Sequence, residues 1–456
     1  MGKKVIVIGA GLGGLTAAYR LQQAGYSVQV LERGAGPGGR VQTLAMNGYL
    51  LDTGADALTD GYVEYRQLAE ELGVGDLAVF TASEMGVLRN GRVISFDPSR
   101  ALSMAMTPLL SWGAKLRLLK GVITLRRDAL GLMTSRLHER AHLDDPVLSA
   151  SQLSRAVFGE ETANYLIDPV TKLYNGTNAA RCSALDVYIG LAVASHRPMA
   201  LRGGQVALPR AIAARLSVGY GATVTSVAYD ADGRVRVCYE DSAAAPRQIT
   251  VDGCVIATMY ENAEHIYPAL KEHCGSVGQG IIKMALIKVH LAYKVRTTSN
   301  AYLVQVPDSE DPDLYCLFLD HNKCADRAPA GCSLIAAYTT NEATARYLHH
   351  TDEELTAWAR TRVETLMPEL RGQFDFSLVS RWPYMAQASY PGYYRKAAAA
   401  LRKLPGDAPI QLCCDVFTKC GQETSVACGN SAAATLIGAL GDARDADASP
   451  AMARMV

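Results

Sequence analysis

The feature that most restricts how this chain can fold is the run Gly9-Ala10-Gly11-Leu12-Gly13-Gly14, set between a β-branched stretch and a helical one. Residues 4–9 (Lys-Val-Ile-Val-Ile-Gly) read as a strand buried on both faces. Leu15–Ala24 follows at helical spacing, Gly25 closes it, and Ser27–Glu32 reads as a second strand. That is one β-α-β unit, which implies a parallel sheet. In such a loop the first glycine permits the tight turn, the second lets backbone approach a pyrophosphate, and the third lets the helix pack on the strand. Free N–H groups and the helix dipole then favour phosphate at the helix start. Glu32 ends the second strand, where its carboxylate accepts from ribose hydroxyls and repels a 2′-phosphate. A dinucleotide site follows, with NADP disfavoured.

A chain of 456 residues is long for one core and suggests two domains, interleaved along the sequence. Lys+Arg and Asp+Glu are equal at 45 each, so no basic surplus exists to neutralise a nucleic-acid backbone. The eleven cysteines are scattered without a C-x-x-C pair, which implies neither a disulfide framework nor a zinc site and fits a reducing cytoplasm. Cys413, Cys414, Cys420 and Cys428 crowd together, but adjacent cysteines do not easily share a tetrahedral metal site, so no metal is expected. The apolar start is broken by glycines and lacks a cleavage site, so it reads as a strand rather than a signal peptide. No apolar run is long enough to predict a spanning helix.

Further along, residues 63–73 predict an amphipathic helix closed by a glycine, and residues 85–200 predict mostly helix. A helix is expected over 204–216. Residues 222–229, 234–239 and 248–257 predict a small β-meander, and 412–440 a strand, a loop and an Ala-rich helix. Residues 441–456 are expected to form a loose tail.

Beyond Glu32 comes Arg33-Gly34-Ala35-Gly36-Pro37-Gly38-Gly39-Arg40, then Gly48 and Asp52-Thr53-Gly54-Ala55-Asp56. This resembles the start of the flavin-dependent amine oxidase, protoporphyrinogen oxidase and phytoene desaturase superfamily. The resemblance implies non-covalent FAD on an α/β fold: a Rossmann-type, glutathione-reductase-like FAD-binding domain with an interleaved mixed α/β substrate domain. It implies cofactor contacts at Gly9, Ala10, Gly11, Gly13, Gly14, Glu32, Arg33, Gly38, Gly39 and Arg40, the last neutralising the pyrophosphate. Gly54, Ala55 and Asp56 belong to the Asp-x-Gly stretch that the family runs beneath the flavin.

Arg202-Gly203-Gly204 followed by Leu208 is similar to the family's second FAD-contacting section. Val224 matches the strand whose backbone meets adenine, and Ala257 and Thr258 match the loop closing over the dinucleotide. Near the end, Asp415 matches an acid that binds ribitol. The backbone near Ser425 and Val426 is expected to aim a helix N-terminus at the flavin. Cys414 and Thr424 depart from the family by standing where glycine is usual.

The protoporphyrinogen oxidase branch is the nearest resemblance, through Gly86-Val87-Leu88-Arg89-Asn90-Gly91-Arg92, Leu173-Tyr174-Asn175-Gly176, and Trp382-Pro383 followed by Tyr390-Pro391-Gly392. It implies an aromatic pocket over the flavin drawn from Trp382, Tyr384, Tyr390, Tyr393 and Tyr394. Lys288 sits roughly where amine oxidases keep a lysine that holds a water at the flavin; Lys283 or an outward-facing strand position are the alternatives. Lys288, Tyr384 and Trp382 are thus the candidate catalytic residues. Arg89 reads as a substrate-carboxylate ligand or a solvated arginine, and His290 as structural. Residues 102–125 are apolar with interspersed Lys and Arg, which suits either a substrate-domain helix or a peripheral membrane contact.

The expected domains are 1–85, 200–265 and 405–440 for FAD, and 86–199 and 266–404 for substrate. The expected function is removal of hydride from a largely apolar or amphipathic small molecule, with oxygen or another acceptor reoxidising the flavin. Three alternatives remain open: an amine oxidase, a non-redox isomerase, and an FAD-less lipid carrier on the same scaffold. The intact phosphate glycines and Arg40 weigh against the carrier. The oligomeric state is left open.

Overall fold

A computed structural model of the chain describes residues 2–194, 196–278 and 280–441. The expected tail, residues 441–456, lies outside the described residues apart from Gly441. Strand β1 (Lys4–Ile8), helix α1 (Leu12–Gln23) and strand β2 (Ser27–Glu32) form the first β-α-β unit. β1 is central in a five-stranded parallel sheet, flanked by β2 and by Gly253–Ile256, with Val218–Tyr220 and Ile410–Leu412 at the edges.

Alternation along β1 explains its burial on both faces. Val5 and Val7 enter a core with α1 and the C-terminal helix Gln422–Leu440, whereas Ile6 and Ile8 enter another with the meander residues Val227, Val235, Val237 and Val251. The sheet is therefore covered by helices on one side and by the meander on the other. Helix α2 (Val63–Glu71) closes at Gly73, whose φ is +73°.

Three expectations need correction. Residues 85–96 are not helical: Met85–Arg89 and Arg92–Phe96 form a hairpin around Asn90-Gly91, both at positive φ, the two-residue turn that matches strand twist. The strand expected over 248–257 breaks at Asp252, whose N–H donates to the Lys4 carbonyl and whose carboxylate accepts from the Lys4 N–H; Pro246–Val251 stays in the meander while Gly253–Ile256 crosses to the parallel sheet. The helix expected over 204–216 is confined to Ala207–Ala213, because Gly203 and Gly204 both have positive φ, which a helix does not admit.

A second sheet of seven strands runs Phe374–Ala388, Ile282–Tyr293, Ser333–Thr339, Leu314–Leu319, Leu303–Gln305, Met85–Arg89 and Arg92–Phe96. It is antiparallel except where Leu303–Gln305 pairs with Met85–Arg89. Between the two sheets in sequence lies a helical group that includes α3 (Ala101–Met106) and α4 (Trp112–Ala129). Among the described residues no helix is long and apolar enough to cross a membrane.

Candidate active site

The ends of three parallel strands converge on the glycine loop. Gly9 donates to the Leu31 carbonyl at 2.8 Å, and Ala257 to that of Ile8 at 2.8 Å. Gly9 has φ +104°, and a Cβ there would lie 2.5 Å from the Ala257 carbonyl oxygen. One at Gly14 would lie 2.1 Å from the Gly9 oxygen, so α1 can rest on β1 only without a side chain. A Cβ at Gly11 would meet nothing within 4 Å, which leaves open space where a phosphate needs to approach backbone. Gly13, in the first turn of α1, abuts Cys413 and Ser425.

Both oxygens of Glu32 hold the loop, accepting from Ala10 N–H at 2.6 Å and Gly34 N–H at 2.7 Å. The second lone pair of each oxygen remains for ribose hydroxyls. Gly38 donates to the Ala10 carbonyl at 2.8 Å and bridges to Gly11, so Gly38 and Gly39 fold against the loop, while Arg33 is exposed. Val224 lies in the meander strand Thr223–Tyr229, whose start is fixed by the Ala222 N–H donating to the Glu32 carbonyl at 2.9 Å. The Thr258 hydroxyl donates to Met259 O at 3.2 Å.

Arg40 and Asp415, expected on different parts of the cofactor, are paired with each other at 2.9 Å. Arg40 also donates to the Met385 carbonyl at 2.9 Å, and Gln387 donates to Asp415 at 3.2 Å. Burial opposes the charge on Arg40, but Asp415 and the neighbouring thiols outweigh it and its pKa rises. Cys414 has extended backbone, φ −141°, which needs no glycine. Thr424 is buried in the C-terminal helix, and its hydroxyl has no partner.

That helix starts at Gln422, earlier than expected. Ser425 N–H is already bonded to Gly421 O at 2.9 Å, and Val426 packs in the core beside Val7 and Leu12. The free N–H groups of the first turn are those of Gln422, Glu423 and Thr424, because a helix leaves its opening amides unpaired. Ser425 and Val426 are thus not the residues that present the helix end.

The stretch from Asp52 to Asp56 is clamped by groups from the second sheet and its connections. Lys288, fully buried, donates to the Asp52 carbonyl and pairs with the Asp56 carboxylate. Lys323 pairs with Asp56 at 2.7 Å and with Asp320 at 2.6 Å, and Arg327 with Asp52 at 3.1 Å. Trp382 Nε1 donates to Thr53 O at 2.7 Å, and Gln205 to Asp56 O at 2.8 Å. Burial would raise the Asp56 pKa, but the two ammonium groups bring it below the usual carboxylate range. A Cβ on Gly54 would overlap the Arg40 carbonyl, and Ala55 N–H donates to that same oxygen at 2.9 Å. The Lys288 ammonium is held by these oxygens, so the expected water-holding lysine is not free in this structure.

Of the other aromatics, Tyr393 and Tyr394 do not line a cage. Both are fully buried, bonded to Val416 O at 2.5 Å and to Asp186 at 2.8 Å. Tyr384 and Tyr390 are different: their buried hydroxyls have no partner. Arg89 is neither solvated nor open to a ligand, since it pairs with Glu161 at 2.8 Å. Lys283 pairs with Glu261 at 2.7 Å on the surface. His290 is buried and neutral, its pKa depressed first by burial and then by Lys288.

Sequence reasoning missed Gln205, Lys323, Arg327 and Glu423. Only the Asp320–Lys323 spacing, one helical turn, hinted at any of them. Among the described residues no cluster of three or more His, Cys, Asp or Glu is arranged to hold a metal ion.

Residues 12–437 match the family described as flavin containing amine oxidoreductase. The chain is 29% identical over 188 residues to protoporphyrinogen oxidase 2 of Arabidopsis thaliana, covering 41% of this chain and 34% of that one. It is 49% identical over 53 residues, 12% of this chain and 10% of the other, to the zeta-carotene-forming phytoene desaturase of Myxococcus xanthus. The match thus spans about a third or less of these relatives' length. The structure is similar to that of cyclohexylamine oxidase from Brevibacterium oxydans, with TM-score 0.71, 16% identity, and coverage of 98% and 100% of the two chains. That likeness establishes the fold.

Proposed function

Because the chain belongs to the flavin-containing amine oxidoreductase family, we propose that it removes hydride from a largely apolar substrate of porphyrinogen or polyene type. It is an FAD-dependent oxidoreductase with a Rossmann-type cofactor domain. The residues fit that group: an open approach over Gly11, ribose acceptors on Glu32, a partly exposed guanidinium at Arg40, and free amides at Gln422–Thr424. FAD, when bound, supplies the two-electron acceptor for hydride.

One observation carries the reading. A single strand of the second sheet, Phe374–Ala388, makes three contacts on the side proposed for the cofactor. Trp382 holds Thr53 O, Met385 O accepts from Arg40, Gln387 holds Asp415, and between them the buried Tyr384 hydroxyl has no partner. Tyr384 is therefore our candidate for meeting substrate, with Lys288 and Trp382 positioning the stretch from Asp52 to Asp56. Around Trp382 and Met385 gather Leu286, Phe318, Tyr315 and Tyr338, an apolar wall suited to a greasy molecule. Hydride removal needs such a wall and orientation more than an acid–base pair.

We further read the FAD as non-covalently held, oxygen or another acceptor as the oxidant, and the chain as cytoplasmic and peripheral to a membrane. All eleven cysteines are free thiols, which supports a reducing compartment. The test is anaerobic titration of the purified flavoprotein with a protoporphyrinogen, a polyene precursor and a panel of amines. Bleaching of the flavin by either of the first two is expected. Bleaching by amines alone, or by none, overturns the substrate reading.

A further inference from the structure

Helix α4 is apolar on two opposite faces. Its inner face, Ala114, Gly121, Leu125 and Ala129, is buried against the helical group. At about 100° per residue, Trp112, Leu116, Leu119 and Ile123 fall on the opposite side, in one stripe. These four side chains are 59 to 69% exposed. α3 adds Leu102 and Met106, 74% and 70% exposed, beside the first turn of α4, where Lys115 Nζ donates to Ala105 O at 2.6 Å. Surface leucines scattered singly need no account, but six large apolar residues on two adjoining helices do.

The charges around the stripe identify its partner. Lys115 and Arg126 flank it on one side, Lys120 and Arg127 on the other, by the same helical geometry. The only acid in the two helices, Asp128, lies about 150° away, toward the buried side. Lys115 also lies 4.5 Å from the Trp112 ring centroid, an aromatic–cation pair at one end of the stripe. A second copy of the chain on this face would bring basic flanks against basic flanks. An anionic lipid surface satisfies both features, burying the stripe among acyl chains while the long basic side chains reach up to headgroups.

We propose that the exposed face of α3 and α4 docks on an anionic membrane surface, with α4 lying in the interface. The docking rests on and deepens the peripheral-membrane reading above, and it is independent of the hydride chemistry. It places the helical group of the chain, rather than the dinucleotide sheet, against the lipid.

The test uses the full flavin-loaded chain, sedimented with phosphatidylcholine vesicles with and without phosphatidylserine. The wild type is expected to bind the phosphatidylserine vesicles, with a blue shift of tryptophan emission, and to release at high salt. Leu116→Gln/Leu119→Gln/Ile123→Gln is expected to bind at least about tenfold more weakly. Lys120→Glu/Arg127→Glu is expected to lose roughly fivefold per charge removed, on phosphatidylserine vesicles only. Both variants change exposed side chains, so their flavin absorbance and melting temperature serve as the control for folding. A wild type that stays unbound on phosphatidylserine vesicles, or a glutamine variant that binds as well, overturns the proposal. So does a lipid-free dimer of the wild type that the glutamine variant abolishes, which would give the face to a second copy.

Discussion

Gly11 and Gly14 stand three residues apart and would answer the same substitution in opposite ways. Gly11→Ala puts a methyl group into open space, and the backbone there, φ −66° and ψ 168°, suits alanine. The FAD-free protein should then keep its stability to within about 0.5 kcal/mol, while FAD binding weakens at least about tenfold because the methyl occupies the pyrophosphate's approach. Gly14→Ala drives a methyl into the Gly9 carbonyl and should cost about 1–3 kcal/mol of stability even without cofactor. Urea unfolding of the FAD-free variants together with FAD titration separates the two. This much was legible in the sequence, since the demands on each glycine are local. The clamp on Asp52–Asp56 was not: Lys288, Lys323 and Arg327 lie far along the chain, and only the packing of two sheets tells which carboxylate each will meet.

Elements, too, hold one another through groups that periodicity does not reveal. Glu423, in the first turn of the C-terminal helix, reaches across to α2 and accepts from the Glu64 and Tyr65 N–H groups at 3.0 and 2.9 Å. One buried carboxylate therefore sits at the amino ends of two helices, where both dipoles favour it. Glu423→Ala leaves two buried donors without an acceptor and should destabilise the protein by about 1–3 kcal/mol. Hydrogen exchange should show the loss first at the start of α2. Nothing in the sequence around Glu423 shows what it caps, because its partners Glu64 and Tyr65 lie far back along the chain. Likewise the Asn90-Gly91 turn was visible in the sequence, yet its flanks read as helical because short apolar runs carry no clear period.

Across the whole molecule, stability should fall on acidification through groups outside the redox site. His321 is buried, accepts at Nδ1 from Leu334 N–H at 3.0 Å, and has its pKa lowered from 6.5 to about 4, chiefly by burial. His290 is depressed in the same direction. A histidine whose folded pKa lies below its unfolded value binds more protons when unfolded. Its stabilising contribution is complete above pH 6.5 and is lost as pH falls toward 4, a change on the order of 3 kcal/mol for His321. Urea midpoints measured from pH 8 to pH 4 should fall in that window, and more shallowly in His321→Asn.

The order of strands in the parallel sheet has a consequence for the chain as it is made. Gly253–Ile256 pairs with β1 on one edge and with Ile410–Leu412 on the other, and the whole seven-stranded sheet is encoded between them except for the hairpin at 85–96. At roughly 5–20 residues per second, the ribosome takes some seconds to tens of seconds to travel from one to the other. Throughout that interval the first sheet has an open flank of unpaired amides and carbonyls, the kind of template that invites pairing with a neighbouring nascent chain.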